Sequence, residues 1–105
     1  MSILLDSPVD ALRQYVSFPS VSADQSFADG VSGAREFACS RLKELGFEVD
    51  LIPTPIHPII LATRGDPSWP RLVIYGHYDV QPPDPLDLWT TDPFDAVERD
   101  GRLYG

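Results

Sequence analysis

Residues 72–80 have the sequence Leu-Val-Ile-Tyr-Gly-His-Tyr-Asp-Val, an apolar run that ends in a histidine and an aspartate two positions apart. A short continuous apolar run is typical of a strand covered on both faces, so we predict a strand over residues 72–75. Side chains two positions apart leave a strand on the same face. His77 and Asp79 are therefore predicted to lie together at the carboxyl end of this strand, where open α/β sheets bind ligands.

The pair has the chemistry of a metal ligand and its supporting carboxylate. An imidazole that binds a metal usually has a carboxylate or carbonyl on its other ring nitrogen, so we predict His77 as a ligand and Asp79 as the group that orients it. The alternative is a structural histidine that is hydrogen-bonded to a loop. A catalytic zinc site needs about three protein ligands, and this stretch provides one or two, so it predicts only part of a site.

The composition is that of a globular domain, or a piece of one, with an acidic surface. The 105 residues include 16 acidic and 8 basic side chains, for a net charge of -8. Such a charge repels nucleic-acid phosphates and anionic membranes, so neither is expected as a partner. Seven of the acids lie between Asp79 and Asp100. A solvated loop is the simpler interpretation, and a cation-attracting rim beside a metal site is the alternative.

Cysteine usage favours a reducing compartment. Cys39 is the only cysteine, and the amino end does not resemble a basic and then apolar signal sequence. We therefore predict a cytoplasmic protein, with Cys39 as a buried structural thiol. No apolar stretch approaches the roughly 18 to 20 residues needed to cross a bilayer.

Two helices are predicted from capping residues and apolar spacing. The first runs from about Pro8 to Val16, with Ser7 as its N-cap. Prolines and serines then predict a loop over residues 17–29. The second helix begins near Val31, and Gly46 suits the left-handed position after its end.

The strands follow from alternation and turn residues. Apolar and acidic residues alternate over 47–51, and a second strand is predicted over 59–63. Asp100-Gly101 is a type I′ hairpin signal between residues 97–99 and 102–104. Four prolines predict an irregular loop over residues 80–95. These elements describe an incomplete α/β unit, with two helices, a mixed sheet of about three strands and a late hairpin.

Three further side chains are weaker candidates for a site. His57 is flanked by prolines and has no acidic companion, so a structural role is favoured over a second metal ligand. Trp69 and Trp89 lie beside prolines, where aromatic residues more often pin a loop to the body of the protein than bind substrate.

The later half of the chain resembles a known enzyme family. The motifs are Tyr75-Gly76-His77-Tyr78-Asp79-Val80-Gln81-Pro82, Trp89, Asp92-Pro93-Phe94 and residues 98–105, Glu-Arg-Asp-Gly-Arg-Leu-Tyr-Gly. They resemble the cocatalytic-zinc metallopeptidases that include aminoacylase, succinyl-diaminopimelate desuccinylase and carnosine-type dipeptidases, with the dipeptidase branch most similar. The stretch Phe18-Pro19-Ser20-Val21-Ser22 is compatible with the beginning of that family.

The resemblance implies that His77 binds one of two zinc ions and that Asp79 holds its imidazole. It also implies that residues 1–105 are the amino-terminal portion of a catalytic domain, because the other metal ligands, the general-base glutamate and the lid domain match no residue here. Such a fragment is expected to be inactive alone and to bind at most one zinc ion weakly.

Two functions are compared on this basis. The first is an amino-terminal fragment of a dizinc hydrolase whose substrates are dipeptides or N-acyl amino acids. The second is a non-enzymatic α/β module that pairs through an exposed sheet edge, which also favours a homo-oligomer. A reading frame that continues past Gly105 into an aspartate-rich segment would favour the enzyme, and a stop codon would favour the module.

Overall fold

A computed structural model of the chain describes residues 7–105. Its helices are α1, Pro8–Val16, and α2, Ala28–Glu44. Its strands are β1, Glu48–Ile52; β2, Ile59–Thr63; β3, Val97–Arg99; and β4, Arg102–Tyr104. Short 3₁₀ turns lie at Gln25–Phe27 and Leu86–Leu88. The predicted α/β class is confirmed. In the described part of the chain, no helix combines the length and apolar character needed to cross a membrane.

Helix α1 has the predicted bounds because its capping signals are local. The Ser7 hydroxyl accepts a hydrogen bond from the Asp10 amide at 3.5 Å, and Pro8 occupies the first turn. Proline suits that position because an amide hydrogen there would have no partner within the helix, so its absence costs nothing. Stacking of Tyr15 on Phe37, with ring centroids 5.3 Å apart, attaches α1 to α2.

Helix α2 begins at Ala28, earlier than the predicted start at Val31, and the end of the predicted loop is therefore helical. The 3₁₀ turn Gln25–Phe27 leads directly into it. At its other end Gly46 has a φ of 87°, and its amide donates to the Lys43 carbonyl at 2.9 Å. The Phe47 amide donates to the Leu42 carbonyl at 3.0 Å, which completes the Schellman cap that the glycine predicted.

The core lies where residues 18–22, here called the docked loop, pack on α2. Val21 of the docked loop is buried with Val31 and Ala34 of α2, and Ala96 is buried as well. A Cβ on Gly30 would overlap the Pro19 backbone carbonyl, and one on Gly33 would overlap the Phe18 ring. The glycines thus let the loop approach the helix backbone closely.

The four strands form two separate antiparallel pairs. Strands β1 and β2 pair with Glu48 opposite Thr63 and Ile52 opposite Ile59. Strands β3 and β4 are joined by Asp100 and Gly101, whose φ values of 52° and 73° confirm the type I′ turn.

The predicted third strand is absent. Residues 72–75, here called the apolar run, form no regular element, and their exposure ranges from 79% to 90%. A strand is stabilised by hydrogen bonds to a neighbouring strand. In the described chain β1 pairs with β2 and β3 pairs with β4, and neither pair adds the apolar run as a further strand. Two parts of the prediction are therefore wrong: the apolar run is not covered on both faces, and it does not form the third strand of a mixed sheet.

Candidate functional site

His77 and Asp79 lie together as predicted. The Nδ1 atom of His77 is 3.1 Å from Oδ1 of Asp79 and 2.9 Å from the Asp79 backbone carbonyl oxygen. Both neighbours are hydrogen-bond acceptors, so in the neutral imidazole the proton is assigned to Nδ1. The lone pair then lies on Nε2, the atom that a metal would bind.

Ser22 extends the pair to a chain of three side chains. Its hydroxyl donates to Oδ2 of Asp79 at 2.6 Å, so each carboxylate oxygen of Asp79 has a partner. The Ser22 hydrogen bond holds the pKa of the Asp79 carboxyl below its ordinary value; partial burial opposes this, and the bond to His77 adds to it. Asp79 is therefore a stable carboxylate that orients His77.

The backbone under this chain is held by a bridge between two loops. Val21 and Val80 form an isolated parallel bridge, in which the Val80 amide donates to the Ser20 carbonyl at 2.9 Å. Since Val21 is fully buried, the bridge ties Asp79 to the core. The prediction that a strand end delivers His77 and Asp79 is thus corrected: the docked loop positions them.

Two tyrosines flank the pair. The Tyr78 hydroxyl donates to the Pro58 carbonyl at 2.5 Å, which fixes residue 78 against the segment that precedes β2. Burial, and then the negative charge of Asp79, raises the pKa of Tyr15. The phenol of Tyr15 therefore stays neutral near the carboxylate.

The site is open on the side of His77. The His77 side chain is 70% exposed and that of Asp79 is 43% exposed. Across residues 7–105, no group of three or more His, Cys, Asp or Glu side chains could hold a metal ion. Neither His57 nor Cys39 joins the pair, and Cys39 is half-buried where a buried thiol was predicted.

The acidic residues after Asp79 lie in a solvated loop, which is the simpler of the two interpretations of their sequence. Asp84, Asp87, Asp92, Asp95, Glu98 and Asp100 are all exposed to solvent. The Trp89 indole N–H donates to the Pro83 carbonyl at 2.9 Å, a contact within the same loop, so its anchoring to the body of the protein stays a prediction. Trp69 lies against Gly65 but is 67% exposed.

Ser22 is the site residue that the sequence interpretation did not assign. It lies 57 positions from Asp79, and no spacing rule connects a loop serine with a carboxylate at that distance. The one available signal was its place at the end of Phe18-Pro19-Ser20-Val21-Ser22, the stretch compatible with the beginning of the family.

Comparison with known proteins identifies relatives of the whole chain. The Cys-Gly metallodipeptidase of Schizosaccharomyces pombe is 38% identical over 112 residues, which cover 95% of this chain and 24% of that protein. The succinyl-diaminopimelate desuccinylase of Xanthomonas oryzae is 40% identical over 105 residues, covering 100% of this chain and 25% of that protein. The chain is a homologue of metallodipeptidases and desuccinylases. This confirms the resemblance seen in its motifs, although no family model matches the chain.

A solved structure supports the same relationship at the level of the fold. A dipeptidase from Saccharomyces cerevisiae superposes with a TM-score of 0.74 and 32% sequence identity, over 85% of this chain and 21% of that one. The chain spans about a quarter of the length of the curated relatives that it matches.

Proposed function

We propose that this chain is the amino-terminal portion of the catalytic domain of a metal-dependent dipeptidase or N-acyl-amino-acid deacylase. The observation that carries the proposal is the Ser22–Asp79–His77 chain, which holds the Nδ1 side of the imidazole and leaves Nε2 for a metal. The names of the relatives, a metallodipeptidase and a desuccinylase, supply the class of reaction.

The donor chemistry of this chain fits one zinc ligand. An imidazole nitrogen is a preferred zinc ligand, and a carboxylate on its other nitrogen is its usual support. His77 would hold the metal through Nε2, Asp79 would hold the ring orientation, and Ser22 would hold Asp79. Zinc, when bound in such enzymes, lowers the pKa of its water to about 7 and polarises carbonyl groups.

Among residues 7–105, His77 is the imidazole that a carboxylate orients in this way, and no group of three possible metal ligands is present. We therefore propose that the complete site, with two zinc ions, draws its other ligands from further parts of the protein. Chain 1–105 alone is then inactive as a hydrolase and binds at most one zinc ion weakly. We also propose a cytoplasmic location, which the single cysteine supports.

Zinc binding measured by calorimetry tests the proposal. The wild-type chain should bind zinc weakly, and His77→Ala should abolish the binding heat, because Nε2 of His77 is the proposed ligand. His57→Ala is the matched control, since it removes an imidazole that does not contact Asp79. Unchanged zinc binding by His77→Ala, or a loss of binding by His57→Ala alone, would remove the basis of the proposal.

The exposed apolar run favours a second candidate, a module that pairs with another copy of the chain. Four consecutive apolar side chains at 79% to 90% exposure are able to add a strand to a second chain. Light scattering distinguishes this candidate. A dimer that Ile74→Lys converts to a monomer would support pairing, and a wild-type monomer at high concentration would contradict it.

A further inference from the structure

The segment that precedes His77 gives its imidazole ring little support. The side chains of the apolar run are 79% to 90% exposed, and the run pairs with neither described pair of strands. A Cβ on Gly76 would meet nothing within 4 Å. The His77 side chain is itself 70% exposed. The orientation of the ring therefore depends on the residues that follow it, Tyr78 and Asp79.

Ser22 anchors this segment on one side, through Asp79. Its hydroxyl donates to Oδ2 of Asp79 at 2.6 Å, while Oδ1 lies 3.1 Å from Nδ1 of His77. The torsion that turns an aspartate carboxylate has broad, weakly separated minima, so an unheld carboxylate rotates readily. Such a rotation would break both hydrogen bonds. Ser22 thus fixes which oxygen of Asp79 faces the imidazole.

Tyr78 anchors the segment on the other side. Its hydroxyl donates to the Pro58 carbonyl at 2.5 Å, and both residues are half-buried. The accepting segment is restricted, because the proline ring fixes φ and the Thr54 hydroxyl donates to the His57 carbonyl at 2.6 Å. Since Tyr78 lies between His77 and Asp79, this contact restrains the backbone of both.

The two anchors reach different parts of the fold. Ser22 belongs to the docked loop, which packs on α2, and Pro58 lies directly before β2. A segment that is held at one point can still pivot about it, whereas a second point removes that motion. The pair of hydrogen bonds therefore restrains the imidazole more than either bond alone.

We propose that Ser22 and Tyr78 are positioning residues of the candidate metal ligand, which hold the His77–Asp79 segment from two sides. The assignment rests on the proposed function for the identity of that ligand. Neither residue touches the metal, and each acts through the orientation of the imidazole. A ligand that is already ordered loses less conformational freedom on binding, so the loss of either anchor weakens zinc binding.

Zinc calorimetry on the full chain tests this assignment. Ser22→Ala and Tyr78→Phe should each weaken zinc binding by about two- to tenfold, the range expected when one hydrogen bond is removed. Ser22→Thr keeps the hydroxyl and should retain most of the wild-type affinity. An equal loss of affinity in Ser22→Thr and Ser22→Ala would show that the hydroxyl is not the cause and would overturn the role of Ser22.

Each variant has a matched control. Ser17→Ala removes a hydroxyl that donates to the Gln14 carbonyl at 2.6 Å, far in sequence from the candidate ligand. Tyr75→Phe removes the hydroxyl of a side chain that is 90% exposed and lies two residues before His77. Both should bind zinc as the wild type does. Losses in the controls as large as those in the test variants would contradict the proposal.

The ring ¹⁵N signals of His77 separate positioning from a general loss of stability. In Ser22→Ala and Tyr78→Phe without zinc, these signals should move from the Nδ1-protonated form toward a mixture of tautomers. The amide signals of α1 and α2 should stay unchanged, which shows that the fold is intact. Wild-type ring signals in both variants, together with wild-type zinc affinity, would overturn the assignment.

The positioning assignment and the proposed function fail separately. If His77→Ala abolishes zinc binding but Ser22→Ala and Tyr78→Phe leave it unchanged, the positioning assignment is wrong and the proposed function stands. If the wild-type chain does not bind zinc at His77, the proposed function is wrong. The ring signals of the zinc-free variants then decide by themselves whether Ser22 and Tyr78 orient the imidazole.

Discussion

The docked loop and the apolar run are both rich in apolar residues, but they have opposite environments. Val21 of the docked loop is fully buried against α2, and a backbone bridge joins it to Val80. Ile74 of the apolar run is 85% exposed and pairs with no described strand. The difference shows that hydrophobicity alone does not form an element. A loop is ordered here because it has a partner helix, and a strand-like sequence stays irregular where it has no partner strand.

The largest expected effect comes from placing one charge in each region. Val31→Asp buries an unpaired carboxylate beneath the docked loop and should cost about 3–5 kcal/mol of unfolding free energy. Ile74→Asp places the same group in solvent and should change that free energy by less than about 0.5 kcal/mol. Urea unfolding followed by circular dichroism measures both, and similar losses in the two variants would contradict the comparison.

The second effect uses glycines in the same two regions. In Gly30→Ala the new methyl group overlaps the Pro19 carbonyl, so the free energy of unfolding should fall by about 1–3 kcal/mol. In Gly76→Ala the methyl group meets nothing within 4 Å, and the free energy should be nearly unchanged. If Gly76→Ala were as costly as Gly30→Ala, the segment near His77 would be packed more closely than the structure shows.

The third prediction connects the docked loop to the metal ligand. Asp79→Asn removes the charge that orients His77 and should weaken zinc binding by about tenfold, measured by calorimetry. Asp84→Asn is the matched control, because it changes net charge equally at an exposed position. An equal loss of affinity in both variants would mean that total charge, and not the Asp79–His77 contact, governs zinc binding.

These comparisons also show what the sequence could predict. The bounds of α1, β2 and the Asp100-Gly101 hairpin, and those of β1 to within one residue, follow from caps, alternation and turn residues, which act between near neighbours. The role of Ser22 could not be predicted, because its hydrogen bond to Asp79 spans 57 positions. The apolar run was misassigned because its residues favour a strand, but a strand forms only where a neighbour pairs with it.

The smallest effect concerns two turns of the same kind, in which an aspartate accepts hydrogen bonds from a serine two residues later. The hydroxyl and amide of Ser26 donate to Asp24 and lower its pKa, and the amide and hydroxyl of Ser68 do the same for Asp66. A depressed folded-state pKa stabilises the fold above the unfolded pKa, and this contribution is lost as the pH falls through the folded value. Both turns should therefore weaken in acid.

Carboxyl ¹³C titration by NMR measures these two pKa values. Ser26→Ala should raise the pKa of Asp24 toward its ordinary value and leave that of Asp66 unchanged, with Ser68→Ala giving the reverse result. The backbone N–H of residue 26 still donates to Asp24 in this variant, so the rise should be partial. If Ser26→Ala left the pKa of Asp24 at its wild-type value, the Ser26 hydroxyl would not be a cause of the depression.

The ring ¹⁵N signals of His77 report both its tautomer and its response to zinc, and they show whether Asp79 orients this imidazole as a metal ligand. In the free chain the neutral ring should carry its proton on Nδ1, held by Asp79, and zinc should shift the Nε2 signal. A ring protonated mainly on Nε2, or a zinc shift at Nδ1, would mean that Asp79 does not orient His77 as a metal ligand.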